Sequence, residues 1–143
     1  MMVDLRPSVA ADLEWLVELR AVVLRPDLER LGRFDAHRVR DRMRRAFLPE
    51  LTRIIVVDGV DAGSITVRVD DDGVRWIEHF YLSPETQGRG IGGAVLRAAL
   101  DVPHQGDTRL NVLHGSAAQR LYTRHGFIED SDDGVDVFMT RRR

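Results

Sequence analysis

Gln87-Gly88-Arg89-Gly90-Ile91-Gly92 is the stretch on which the reading of this 143-residue chain turns. Before it, Trp76-Ile77-Glu78-His79-Phe80-Tyr81-Leu82 is rich in aromatic and branched residues and predicts a strand. After it, Ile91, Ala94, Val95, Ala98 and Ala99 recur at helical spacing. The glycines therefore mark a strand-to-helix turn. Glycine lets the backbone approach a ligand closely, and the N–H groups at a helix start, at the positive end of its dipole, make a site for phosphate. The segment predicts a nucleotide or phosphorylated cofactor.

Working upstream, two strands over 53–58 and 62–70 are joined around Asp58-Gly59, and Asp71-Asp72-Gly73 turns into a third over 74–82. The middle of the chain is thus an antiparallel meander. Nearer the start, Val3-Asp4-Leu5-Arg6 alternates before Pro7 and predicts a short opening strand. Leu13, Leu16, Val17, Leu19 and Val23 share a helical face, giving a helix over about 11–24. Residues 25–34 contain Pro26 and Gly32 and read as a loop or broken helix. Asp35 caps a second helix that runs to Phe47, with Val39, Met43, Ala46 and Phe47 inward, and Pro49 ends it.

Downstream, a helix over 90–100 is followed by a polar loop through Pro103 and Gly106 and by a strand over 108–113. A helix joins that strand to the one over 76–82, so the two should be parallel neighbours. Ser116-Ala117-Ala118-Gln119 has the form of a capping box, Gly126 stops the short helix that follows, and 127–130 and 135–140 close the chain as a hairpin.

Bulk composition bounds the function. The length implies one domain over 1–143, and 43% hydrophobic residues suffice for a core. A formal net charge of -2 argues against a general nucleic-acid binder, and no apolar run approaches a membrane span. The first residues lack the apolar region of a signal peptide, so a cytoplasmic location is the expectation. Cysteine is absent, which removes disulfides, thiolate zinc sites and a cysteine nucleophile together. All 21 basic residues are arginine, a bias expected of a GC-rich, bacterial genome.

Gly88-Arg89-Gly90-Ile91-Gly92-Gly93 formally satisfies the dinucleotide fingerprint. That fingerprint belongs to a first strand-to-helix turn in a parallel unit, with an acidic residue about twenty positions on. Here a meander precedes it, and Arg109-Leu110-Asn111-Val112-Leu113 ends at His114-Gly115 without a carboxylate. A P-loop needs a lysine that the chain lacks.

The whole run from Phe80-Tyr81-Leu82 through Ser83-Pro84-Glu85-Thr86 to Gln87-Gly88-Arg89-Gly90-Ile91-Gly92 instead resembles the acyl-CoA binding segment of the GNAT superfamily of N-acyltransferases. Gln87, Gly90 and Gly92 fill the signature places. Leu121-Tyr122-Thr123-Arg124-His125-Gly126-Phe127 is similar to the segment that closes these domains. Ser116, or Gly115, stands where many members carry asparagine, which puts one cofactor contact in doubt and leaves the cap intact.

The resemblance implies an α/β (α+β) fold with a mixed, mostly antiparallel central sheet and helices on both faces. It implies an N-acetyltransferase that moves acetyl from acetyl-CoA directly to a primary amine of a small molecule or peptide. The alternative is an acyl-CoA binding or sensing module without turnover. A homodimer is compatible with either. Cofactor contacts fall on Phe80, Tyr81, Leu82, Gln87, Gly88, Arg89, Gly90, Ile91, Gly92, Ser116 and Tyr122, with a strand bulge near 80–82 freeing backbone groups for the pantetheine amides. Tyr122 is the expected acid for the departing thiolate. Glu78 is the expected base, with adjacent His79, pointing to the opposite face, and a water chain as the other candidates. Eight arginines between Arg25 and Arg45 suggest either an anionic acceptor or a solvated helix face.

Overall fold

The computed structural model describes all 143 residues. Its strands are β1 (Val3–Pro7), β2 (Thr52–Val57), β3 (Val60–Val69), β4 (Arg75–Leu82), β5 (Thr108–Leu113), β6 (Ile128–Asp132) and β7 (Asp136–Arg141). The helices are α1 (Leu13–Arg30), α2 (Ala36–Ala46), α3 (Ile91–Asp101) and α4 (Ala117–Arg124). The strands form one sheet in the order β1-β2-β3-β4-β5-β7-β6. β4 and β5 run parallel, while β1–β2, β2–β3, β5–β7 and β6–β7 are antiparallel. This is the expected mixed, mostly antiparallel fold. The closing hairpin adds a feature that local pattern does not carry: β7, not β6, lies beside β5.

The chain divides into two compact units, 1–66 with 79–92 and 67–78 with 93–143. In the first, Leu16 and Val17 of α1, Met43 of α2, Ile54 of β2 and Tyr81 of β4 form a buried cluster. Leu13, Trp15, Leu19, Val23, Leu24, Phe47 and Val56 pack around it. Asp58 (φ 50) and Gly59 (φ 81) make the two-residue turn between β2 and β3, where two positive φ values match the strand twist. Arg6 joins Asp12 and Asp61 through its guanidinium, at 2.9 and 2.8 Å.

The helix α1 corrects the sequence reading, for it passes through Pro26 and continues to Arg30. Proline there forfeits only the bond to the carbonyl of Val22, a residue that is exposed to water. The helix ends at Gly32 (φ 69), with Arg33 N–H on Leu28 O and Gly32 N–H on Glu29 O, a Schellman cap. Asp35 then caps α2 by accepting from the N–H groups of His37 and Arg38. Val39 and Met43 are buried as expected, whereas Ala46 is exposed.

In the second unit, Leu110 lies opposite Met139 and Val112 opposite Val137 across β5 and β7, and all four are buried. Arg75, only 6% exposed, donates to Thr108 Oγ1 and to the carbonyls of Ala99 and Val102. It thereby satisfies carbonyls at the C-terminal end of α3, groups that a helix leaves without intrahelical partners. Burial holds its guanidinium below the usual arginine range.

Candidate active site

The segment Gln87–Gly92 follows β4 through a single 3-10 turn, Pro84–Thr86. Gln87 Nε2 donates to Leu82 O at 2.9 Å, so its amide ties the turn to the strand end. Gly88 (φ 76) and Gly90 (φ 79) are left-handed, which favours glycine at both positions. A Cβ built on either would meet nothing within 4 Å. A left-handed turn running into the first residue of an 11-residue helix, with open space at the Cβ positions of Gly88 and Gly90, fits a pyrophosphate that accepts from backbone N–H groups. Arg89 lines an open hollow of about 210 Å³ with Asp58, Asp61, Ser83, Glu85 and Thr86.

The left-handed residue within β4 is His79, one residue before the range in which the sequence suggested a bulge. His79 is left-handed (φ 46), an uncommon conformation for a residue with a Cβ. Its carbonyl accepts from buried Ser64 Oγ at 2.7 Å. The two-residue alternation that would put Glu78 and His79 on opposite faces does not carry through such a kink. Parallel pairing of β4 with β5 covers only Arg75↔Thr108 and Trp76↔Arg109.

Glu78 faces a cation. Arg68 Nε lies 2.5 Å from Glu78 Oε1, and both side chains are about one-third exposed. The same guanidinium stands over the Trp76 ring, 5.5 Å from its centre, with Arg109 at 5.0 Å. The pair keeps the carboxylate in place, and proton acceptance by Glu78 requires it to exchange part of that contact.

Ser116 and Tyr122 belong to α4. Ser116 Oγ accepts from Gln119 N–H at 3.1 Å, and Gln119 Oε1 accepts from Gly115 N–H at 2.7 Å, so the cap forms with the glutamine reaching one residue further back. Tyr122 is buried and its ring meets Phe127 edge-on at 5.7 Å. Its carbonyl accepts from the N–H groups of His125 and Phe127, and Gly126 (φ 89) makes the turn between them. The Leu-Tyr-x-x-x-Gly-Phe spacing is therefore the geometry of a helix end that seats the tyrosine against the phenylalanine.

The arginines of 25–45 are largely committed to the protein. Arg25 pairs with Glu29, Arg30 with Asp27, Arg40 with Glu18, Arg44 with Glu14 and Arg45 with Asp41. The ion-paired helix face is thus the better account of this charge than an anion site. Sequence reading missed Arg20: its Nε donates to Tyr81 Oη at 2.9 Å, and Nη1 reaches the carbonyl of Val39. No motif could have found it, because the two residues lie 61 positions apart.

The family model for the acetyltransferase (GNAT) domain matches residues 50–129, more than half of the chain. No curated protein matches the sequence. Among solved structures, the N-acetyltransferase PaiA from Thermoplasma acidophilum, in complex with coenzyme A, superposes with a TM-score of 0.79 at 20% identity over 100% of both chains. An acetyltransferase from Thermus thermophilus gives 0.74 at 16% identity over 100% of this chain and 98% of that one. An N-acetyltransferase from Staphylococcus aureus gives 0.73 at 17% identity over 96% and 99%. At these identities the structural likeness concerns the fold.

Proposed function

This chain belongs to the GNAT acetyltransferase family, and on that premise we propose that it acts over its whole length as one acetyltransferase domain, moving acetyl from acetyl-CoA directly to a primary amine of a small molecule or peptide. The observation that carries the reading is the left-handed turn at Gly88 and Gly90 where α3 begins, with open space at both Cβ positions. Acetyl-CoA, the cofactor of this family, supplies when bound an acyl group activated as a thioester.

The chain's own residues have the following parts. N–H groups of Gly88, Arg89, Gly90, Ile91 and Gly92 hold the pyrophosphate, and the Arg89 guanidinium adds charge. Gln87 keeps that turn against the end of β4 through its bond to Leu82 O. Backbone groups of Phe80, Tyr81 and Leu82 take the pantetheine arm, and Ser116, the α4 cap, adds a contact to the cofactor. Tyr122 Oη gives its proton to the departing thiolate. Glu78 receives the proton that the amine loses, while Arg68 holds the resulting acid in place. With no cysteine in the chain, no thioester on the enzyme enters the sequence of steps.

The test is release of free thiol from acetyl-CoA in the presence of a panel of polyamines, aminoglycosides, amino acids and peptide N-termini. The reading expects release that depends on at least one amine class and an acetylated product of matching amount. Binding of acetyl-CoA with no amine-dependent release would identify a binding or sensing module instead.

A further inference from the structure

A side chain of α1 meets two side chains of β4 at the kink in that strand. Arg20 Nε donates to Tyr81 Oη at 2.9 Å, and Tyr81 Oη lies 3.2 Å from His79 Nδ1. The guanidinium is itself anchored on the carbonyl of Val39 in α2. Tyr81 is only 8% exposed and belongs to the buried cluster of α1, α2 and β2. The His79 and Tyr81 rings meet edge-on, 6.1 Å apart, and the His79 carbonyl is held by Ser64. A residue whose backbone is left-handed without being glycine is thus clamped at both its carbonyl and its ring. Strained backbone of this kind persists where the surroundings over-determine it.

The donor inventory sets the direction of the chain. Arginine has donors only, so Tyr81 Oη must be the acceptor from Arg20. Donation from a cation polarises the hydroxyl and strengthens it as a donor in turn. We propose that Arg20 and Tyr81 are positioning residues that direct the Tyr81 hydroxyl proton to His79 Nδ1, fixing the imidazole as the neutral Nε2–H tautomer, so that His79 serves the transfer as a hydrogen-bond donor and not as its base. Protonation of His79 would turn an Nδ1–H against an oxygen already bonded to the Arg20 cation. Glu78 is then the side chain left for the base on this strand. The kinetic part of the inference rests on the acetyltransferase reading; the tautomer does not.

The experiment reads the two separately. Long-range ¹H–¹⁵N spectra of the five histidines, with the His79 signals identified by their loss in His79→Gln, report which ring nitrogen carries the proton. At neutral pH wild type should show protonated Nε2 and bare Nδ1. Tyr81→Phe, which keeps the ring and removes the hydroxyl, should give mixed tautomers, and Arg20→Gln should do the same with Tyr81 intact. With an amine substrate in hand, Tyr81→Phe and Arg20→Gln should each lower kcat about tenfold at unchanged KM for acetyl-CoA, since misplacement of a polar group acts on the transition state. Melting curves show whether each variant is folded. A wild-type His79 protonated at Nδ1, or tautomers unmoved by both substitutions, would overturn the inference whether or not any amine is acetylated.

Discussion

At the scale of single residues, the account places its chemistry on Tyr122 and Glu78. Tyr122→Phe keeps the edge-on contact with Phe127 and should lower kcat on the order of a hundredfold, the lower range for loss of a positioned acid. Steady-state kinetics on the amine found by the thiol assay check this, and an unchanged kcat would remove Tyr122 from the mechanism. Glu78→Gln should cost a similar factor in kcat. The loss of its pair with Arg68 should alter stability by only about 0.5 kcal/mol, because both side chains are partly exposed. Both candidates could be named from the sequence, Tyr122 because it sits inside a Leu-Tyr-x-x-x-Gly-Phe run and Glu78 because it lies on the strand just before the expected bulge. His79's kink was legible only as a bulge somewhere near the strand end, since the sequence carries no glycine to mark the left-handed residue. Arg20 was illegible, for its role arises when two chain segments meet.

At the scale of elements, the glycines have separable duties. Gly63 in β3 faces the Tyr81 carbonyl so closely that a Cβ would lie 2.1 Å from that oxygen. Gly63→Ala should therefore force the strands apart and destabilise the protein by about 3 kcal/mol or more, at the severe end for one substitution; chemical denaturation measures it. Gly90 is the contrasting case. Space for a methyl exists there, but a φ of 79° costs an L-residue about 1–2 kcal/mol. Gly90→Ala should show that modest loss together with weaker coenzyme A binding by calorimetry. Elements bounded by turn residues, such as β2 and β3 around Asp58-Gly59, were readable to within two residues because the turn demands that chemistry. The end of α1 was not, since Pro26 suggested a break. The energetic cost of one missing N–H at an exposed position is small beside the packing of Leu16, Val17 and their neighbours against α2 and β2.

For the molecule as a whole, the sheet order with β7 inserted between β5 and β6 is the feature least visible in sequence, because it depends on which strand of a hairpin meets an edge. No helix is long and apolar enough to cross a membrane. Stability should carry an acid-dependent part that traces to Asp12. The hydrogen bond from Arg6, aided by those from Trp15 and Val9, holds its carboxyl at about 2. A depressed carboxylate stabilises the fold above the unfolded value near 4 and loses that contribution as pH falls through the folded value. The difference is worth about 2 kcal/mol at neutral pH. Asp12→Asn should therefore be less stable than wild type at pH 7, and the gap should close between about pH 4 and pH 2. Denaturant titrations across that range read it directly.

The central claim is direct transfer from acetyl-CoA to an amine held in the same complex. Initial rates measured while both substrates are varied test it most directly. Intersecting double-reciprocal lines are the predicted pattern for a ternary complex, consistent with a chain that has no cysteine to carry an acyl group. Parallel lines, the sign of a covalent acyl-enzyme and a two-step exchange, would contradict it.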